Sequence, residues 1–242
     1  MRLLLVLAVL PALLCTSCIE GEESVWLKRN GSGRIEASYH LPEIVVQQFG
    51  GGQKFVDKLR SAIDADPEIH LEDIGHERAD DGRVHFHFAA RFDDLQALVA
   101  FPQKRLRDPA APDVPVREEA LFGVMDLEIN DLKLSLHREI DLAPILPAAV
   151  KGTPALLGDS KLVFRVHLPV PAAHTNAATV SPDGKLLEWS FLLRDHTAKP
   201  MILNAGAPLP LPWWIWFTLV LIIIVFLALL FLAARRMILM RR

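Results

Sequence analysis

Two histidines on one predicted strand are the first residues whose types and spacing could do chemistry. His85 and His87 are two positions apart, so on a β-strand both side chains point to the same face. Two such imidazoles can hold a metal ion. The sequence offers no clear third ligand, because His70 and His76 lack the spacing of a metal motif and no HExxH run is present. We therefore interpret the pair as part of a polar strand face and predict no metal site.

A second candidate is the run Gly158-Asp159-Ser160, with Asp195 and His196 as partners for a serine nucleophile. Nucleophilic catalysis needs a base within hydrogen-bond reach and an oxyanion hole. The run lies far from the N-terminus, and it lacks the following Leu and the terminal Asp-x-x-His spacing of the GDSL hydrolases. No phosphate-binding glycine loop is present either. We predict no catalytic residue and no cofactor, and we rank a hydrolase or metal enzyme below the two functions considered at the end of this subsection.

Cys18 is the candidate for a covalent modification. It follows a 12-residue apolar run, Leu3 to Leu14, which is too short to span a bilayer and is typical of a signal-peptide core. Thr16 and Ser17 are small residues of the kind that precede the lipidated cysteine of bacterial lipoproteins. We predict a signal peptide over residues 1–17 and lipidation of Cys18; the alternative is an ordinary signal peptide with two incidental cysteines.

Residues 213–234 form a second apolar segment, with 22 positions and no charge. As a helix the segment would be about 33 Å long, which matches a hydrocarbon core of about 30 Å. The aromatic residues Trp213, Trp214 and Trp216 stand at its start, and Arg235 and Arg236 begin a basic tail. The positive-inside rule then predicts a single-pass anchor with residues 235–242 in the cytoplasm and the body outside it.

The body between these ends carries a negative charge. All 29 acidic residues and 21 of the 26 Lys and Arg residues lie in it, so its formal charge is −8. This balance argues against nucleic acid as a partner. The only cysteines are at positions 15 and 18, so the body has no disulfide of its own.

The pattern of the body predicts an α+β domain over residues 18–197, built from antiparallel hairpins with a few packed helices. Turn residues between alternating segments predict hairpins over 22–41, 69–92 and 127–137 and a turn at Ser181-Pro-Asp-Gly184. Helical spacing predicts an amphipathic helix over 55–63 and a short helix near 95–99 begun by Asp93 or Asp94. Four prolines in residues 198–212 predict a semi-extended stalk into the membrane.

Several elements together resemble the LppM-like bacterial lipoproteins. They are the lipobox-like Cys18, the hairpin around Asn30-Gly-Ser-Gly33, the strand exit at His167-Leu-Pro-Val-Pro, and the C-terminal span with its basic tail. The more specific part is the series Thr175-Asn176, Ser181-Pro-Asp-Gly184 and Glu188-Trp189. The resemblance implies an extracytoplasmic α+β domain at the bacterial cell membrane, with a role in binding lipid or glycolipid and without catalytic residues.

Two non-enzymatic functions follow from this organisation. In the first, the body binds a lipid, glycolipid or similar amphiphile in an apolar groove between sheet and helix, close to the membrane. In the second, the acidic body is an interaction or assembly subunit that docks an envelope or membrane protein partner. Leu187, Trp189 and Phe191 share one face of the last predicted strand, and we interpret them as core residues.

Overall fold

The computed structural model describes residues 19–105, 122–130, 133–144, 146, 148–208 and 215–227. The chain divides into two units at Pro208/Leu209. The first unit is an α+β domain with two sheets, one mixed and one antiparallel. This confirms the predicted α+β class.

The first sheet has seven strands in the order β3-β4-β2-β1-β7-β10-β9. Their bounds are Glu20–Leu27 (β1), Gly33–Pro42 (β2), Ile69–Arg78 (β3), Arg83–Phe92 (β4), Lys161–His167 (β7), Thr179–Val180 (β9) and Leu186–Leu192 (β10). The predicted hairpins β1–β2 and β3–β4 are both present. Gly31, at the tip of the first turn, has φ +87°, which favours glycine, and the Asn30 side chain accepts a hydrogen bond from the Ser32 backbone N–H.

The second sheet has four strands in the order β5-β6-β11-β8. They are Val124–Asn130 (β5), Lys133–Ile140 (β6), His174–Thr175 (β8) and Met201–Pro208 (β11). The two sheets pack together through the largest apolar cluster, which joins Ile140, Met201 and Leu203 to Phe164 and Trp189 of the first sheet.

Helices cover the rest of the inner face of the seven-stranded sheet. They are Glu43–Gln48 (α1), Gly52–Asp64 (α2) and Leu95–Arg105 (α3), and a short helix, Ala148–Gly152 (α4), lies before β7. The predicted amphipathic helix is α2, which buries Val56, Leu59 and Ile63. Asp94 begins α3 as expected, since its carboxylate accepts the Gln96 backbone N–H at 2.9 Å.

Two expectations about this unit are wrong. The sheet is not wholly antiparallel, because β1 and β7 pair in parallel although the chain between them is more than 130 residues long. The stalk does not begin at residue 198, because β11 lies inside the stretch 198–212 and pairs with β6 along its whole length. Met201, Leu203, Ala205 and Ala207 alternate as buried residues in β11, and this period of two outweighs the proline content.

In the second unit the structure describes one helix, at residues 215–227 (α5). The large apolar side chains of α5 from Trp216 to Leu227 are at least 49% exposed. Within the described residues no helix has both the length and the apolar character needed to cross a membrane. The predicted span 213–234 extends beyond the described helix at both ends.

Candidate functional site

The interior of the first unit contains three adjoining apolar cavities. The volume open to the centre of a water molecule is about 40, 30 and 40 Å³, room for a few water molecules in each cavity. Leu59, Phe88 and Phe122 line both the first and the second cavity, and Met125 and Leu98 line both the second and the third. The three spaces therefore follow one another along the inner face of the large sheet.

The first cavity lies between α2 and the strands β2, β3 and β4. Aromatic rings form one end of it, where Phe55 meets Phe86 edge to face at 5.1 Å and Phe49 at 5.6 Å. The side chains that line it are almost all apolar: Leu41, Phe55, Val56, Leu59, Ile74, Phe86, Phe88 and Phe122, with Tyr39. Alternation along the strands places these side chains on the inner face.

The second and third cavities lie against a buried ion pair. Arg138 of β6 and Glu23 of β1 connect the two sheets, and their side chains are 7% and 6% exposed. The Arg138 guanidinium donates one hydrogen bond to each oxygen of the Glu23 carboxylate. Its Nε–H donates to the Phe122 carbonyl oxygen at 3.0 Å, and the guanidinium carbon lies 5.1 Å from the centre of the Phe164 ring.

Tyr39 completes this buried group, which we call the Glu23–Arg138–Tyr39 triad. Its hydroxyl donates to the Glu23 carboxylate at 3.0 Å. Position 21 makes room for the ring, because a Cβ on Gly21 would stand 2.5 Å from Cδ1 of Tyr39. Burial raises the pKa of Tyr39 well above its ordinary value, and the Glu23 carboxylate adds to the rise. Burial would lower the pKa of Arg138, but the charge of Glu23 and the hydrogen bonds to it raise the pKa overall.

We did not predict this triad from the sequence, although the alternation of residues along the strands carries the signal. Arg138 lies on the same face of its strand as the apolar residues Leu134 and Leu136. Glu23 likewise shares a strand face with Val25 and Leu27. Both charged residues therefore belong to faces that must be buried. A charge on such a face needs a partner of opposite sign, which no local pattern identifies.

The two candidate histidines lie on the same face of β4, and His87 also contributes to the lining of the first cavity. His85 stacks on His40 at 4.4 Å between ring centres, and its ring nitrogens bond Ser38 and Glu77 at 2.9 and 3.0 Å. His87 lies 3.4 Å from the Asp73 carboxylate. Among the described residues, no three His, Cys, Asp or Glu side chains converge as metal ligands.

Ser160 has a structural role in the domain. It is fully buried, and its hydroxyl accepts a hydrogen bond from the Ile19 backbone N–H at 2.9 Å. Asp159 is 92% exposed and pairs with Arg194 at 3.3 Å. The contact of Ser160 holds the start of the described chain against β7.

The series from Thr175 to Trp189 forms a junction between the sheets. The Asn176 amide oxygen accepts hydrogen bonds from the Trp189 indole N–H at 2.8 Å and from the Asn204 backbone N–H at 2.7 Å. The NH₂ group of Asn176 donates a hydrogen bond to the Ile202 carbonyl oxygen at 2.9 Å. Thr175 adds a bond from its hydroxyl to the Asn204 carbonyl. Leu187 and Trp189 are almost fully buried and Phe191 packs against the same cluster, which confirms the core interpretation.

Most of the predicted anchoring residues lie outside the described residues. These are Cys18, Trp213, Trp214, Arg235 and Arg236. Trp216 is described, in α5, and is 61% exposed.

Comparison with solved structures gives distant likenesses in fold. The chain is similar to the NMR structure of the folded domain of Mycobacterium tuberculosis LppM, with a TM-score of 0.45 and 13% identity over 81% of this chain and 92% of that chain. It is also similar to the mu homology domain of Danio rerio Fcho1 with bound Eps15 peptide, with a TM-score of 0.23 and 11% identity over 81% and 80% of the two chains. No family model and no curated protein matches the chain. Neither likeness assigns the chain to a family or argues for a function.

Proposed function

We propose that this chain is a bacterial cell-envelope lipoprotein whose body binds a lipid, glycolipid or similar amphiphile without covalent chemistry. The observation that carries the proposal is the series of three adjoining apolar cavities inside the domain. Ligand sites are typically concave, mostly apolar and equipped with a few polar groups that fix orientation. The cavities have this composition, with Tyr39, Glu23 and Arg138 as the polar groups.

An acyl chain suits such a space energetically. Transfer of one CH₂ group from water to an apolar interior contributes about 0.8 kcal/mol. A chain of about ten methylenes that is buried along the cavities would therefore gain several kcal/mol after the cost of immobilising it. An apolar interior provides this gain only if its occupant is largely hydrocarbon.

Attachment to the membrane belongs to the same proposal. Lipidation of Cys18 would anchor the chain one residue before Ile19, which is already bonded to Ser160. One residue spans only about 3.8 Å, so the body would lie close to the bilayer surface. At the other end, residues 213–234 would form the single span, and its start includes the exposed apolar helix α5.

The experiment is a fluorescence titration with N-phenyl-1-naphthylamine, a neutral apolar probe that becomes bright in dry surroundings. A fragment of residues 19–208, which contains both sheets, should bind the probe with a saturable rise in emission. Val56 lines the first cavity and is 4% exposed. Val56→Phe should fill part of the space and weaken probe binding about tenfold, the effect of about 1.4 kcal/mol.

Val46→Phe is the matched control. Val46 belongs to the same buried cluster and is 2% exposed, but it does not line the cavity. The Val46→Phe variant should lose a similar amount of stability through overpacking, and it should bind the probe as the wild type does. The proposal is contradicted if the wild-type fragment gives no saturable signal, or if both folded variants bind the probe equally well.

A further inference from the structure

The Arg138 guanidinium has unused hydrogen-bonding capacity in an apolar interior. A guanidinium carries five N–H groups. In Arg138 three of them are used, by the Phe122 carbonyl and the two Glu23 oxygens. For the other two N–H groups the structure shows no hydrogen bond to a described side chain. Because the side chain is only 7% exposed, bulk water is a poor substitute for such an acceptor.

The position of Arg138 places these N–H groups beside ligand space. Arg138 and Glu23 line both the second and the third cavity, so the triad stands where these two apolar spaces adjoin. The rest of the lining is mainly hydrocarbon, with Leu98 and Met125 common to both cavities. Arg165 also lines the third cavity, but its guanidinium is 31% exposed and paired with Glu22 and Glu188. An amphiphile in this space would therefore meet its buried donors at Arg138.

The charge of the triad decides which polar group fits. The Glu23 carboxylate already neutralises Arg138, and the Tyr39 hydroxyl is bonded to the same carboxylate. A carboxylate or phosphate head group would add a second negative charge without a counterion, which is costly in a buried site. A cationic head group would meet the corresponding penalty with Arg138. A neutral acceptor satisfies the spare N–H groups without either cost.

We propose that the interior site takes a neutral lipid whose polar part is an ester or hydroxyl oxygen, of the acylglycerol class, and that Arg138 donates hydrogen bonds to that oxygen. This inference deepens the proposed function and rests on it. Glu23 sets the selectivity, because it cancels the charge of Arg138 and leaves its N–H groups as donors to an uncharged ligand.

The test uses the full chain in phosphatidylcholine nanodiscs and two photoactivatable probes. One is a monoacylglycerol with a diazirine in its acyl chain, and the other is the free fatty acid with the same chain, used at pH 9 so that its carboxyl is ionised. Mass spectrometry then measures the labelling of peptides that carry the cavity residues Met125, Phe164 and Leu203. We expect the monoacylglycerol to label these peptides at least about tenfold more than the fatty acid.

The double variant Glu23→Gln/Arg138→Met tests the role of the donors and leaves no unpaired charge behind. Its monoacylglycerol labelling should fall about tenfold, as expected for loss of a hydrogen bond from a charged group. Equal labelling by both probes in the wild type, or stronger labelling by the fatty acid, would refute the neutral-lipid inference and leave cavity binding intact. If neither probe labels the cavity peptides, the proposed amphiphile site itself is wrong, and this inference with it.

Discussion

The replacement Arg138→Met tests whether the buried ion pair is organised as described. The variant keeps an unbranched apolar side chain but removes both bonds to Glu23 and the bond to the Phe122 carbonyl. The Glu23 carboxylate, 6% exposed, is then left with the Tyr39 hydroxyl as its only described side-chain partner. Breaking a buried pair in this way costs about 3–5 kcal/mol.

That loss would be a large part of the total stability of the domain, which for natural proteins is about 5–15 kcal/mol. Removing both charges together behaves differently, because no unpaired charge remains. Glu23→Gln/Arg138→Met should therefore lie within about 1–2 kcal/mol of the wild type. The two positions should show a coupling energy of at least about 2 kcal/mol in a double-mutant cycle.

Urea unfolding of the 19–208 fragment, followed by circular dichroism, measures these free energies of unfolding. Arg165→Met is the matched control, since Arg165 is 31% exposed and pairs with Glu188 and Glu22 at the surface. Its replacement should cost no more than about 1 kcal/mol. The reasoning is refuted if Arg138→Met costs as little as Arg165→Met, or if the double variant loses as much as Arg138→Met.

Three further predictions concern the sheet junction, the outer sheet face and the N-terminus. Asn176→Ala removes the partner of a buried indole N–H and should lower the free energy of unfolding by about 2–3 kcal/mol, whereas Asn30→Ala in an exposed turn should cost much less in the same urea assay. Burial lowers the pKa of His40, and electrostatic repulsion from His85 and Arg83 lowers it further. The folded state therefore binds fewer protons than the unfolded chain just below pH 6.5. The urea midpoint should therefore fall as the pH drops through that range, and should fall less in His40→Gln; equal slopes would contradict this. Metabolic labelling with a fatty-acid analogue should mark the wild type and Cys15→Ser but not Cys18→Ser; label in all three would rule out lipidation at Cys18.

Local signals in the sequence predicted much of the domain. The hairpins β1–β2 and β3–β4 were predictable because turn residues separate segments with a clear period of two, and α2 because its apolar residues recur at helical spacing. These features are set by neighbours in the chain. The parallel pairing of β1 with β7 is not, since it joins residues more than 130 positions apart.

The triad shows the same limit at the candidate site. Glu23 stands beside Glu22 in an acidic run, and only parity separates the buried carboxylate from the exposed one. Arg138 could be assigned to the apolar face of β6 in the same way, but its pairing with Glu23 depends on how the two sheets pack. The wrong prediction of a stalk over β11 has another cause. Pro200 lies directly before the strand and Pro208 is its last residue, so the proline content concealed the alternation of buried residues between them.

The most direct test of amphiphile binding by the body is native mass spectrometry, with lipid extraction, on the 19–208 fragment purified from bacterial cells. We expect a protein mass increased by one lipid, with the matching lipid in the extract, and loss of most of this adduct in Val56→Phe but not in Val46→Phe. A wild-type fragment that is folded, carries no added mass and yields no lipid on extraction would contradict this expectation.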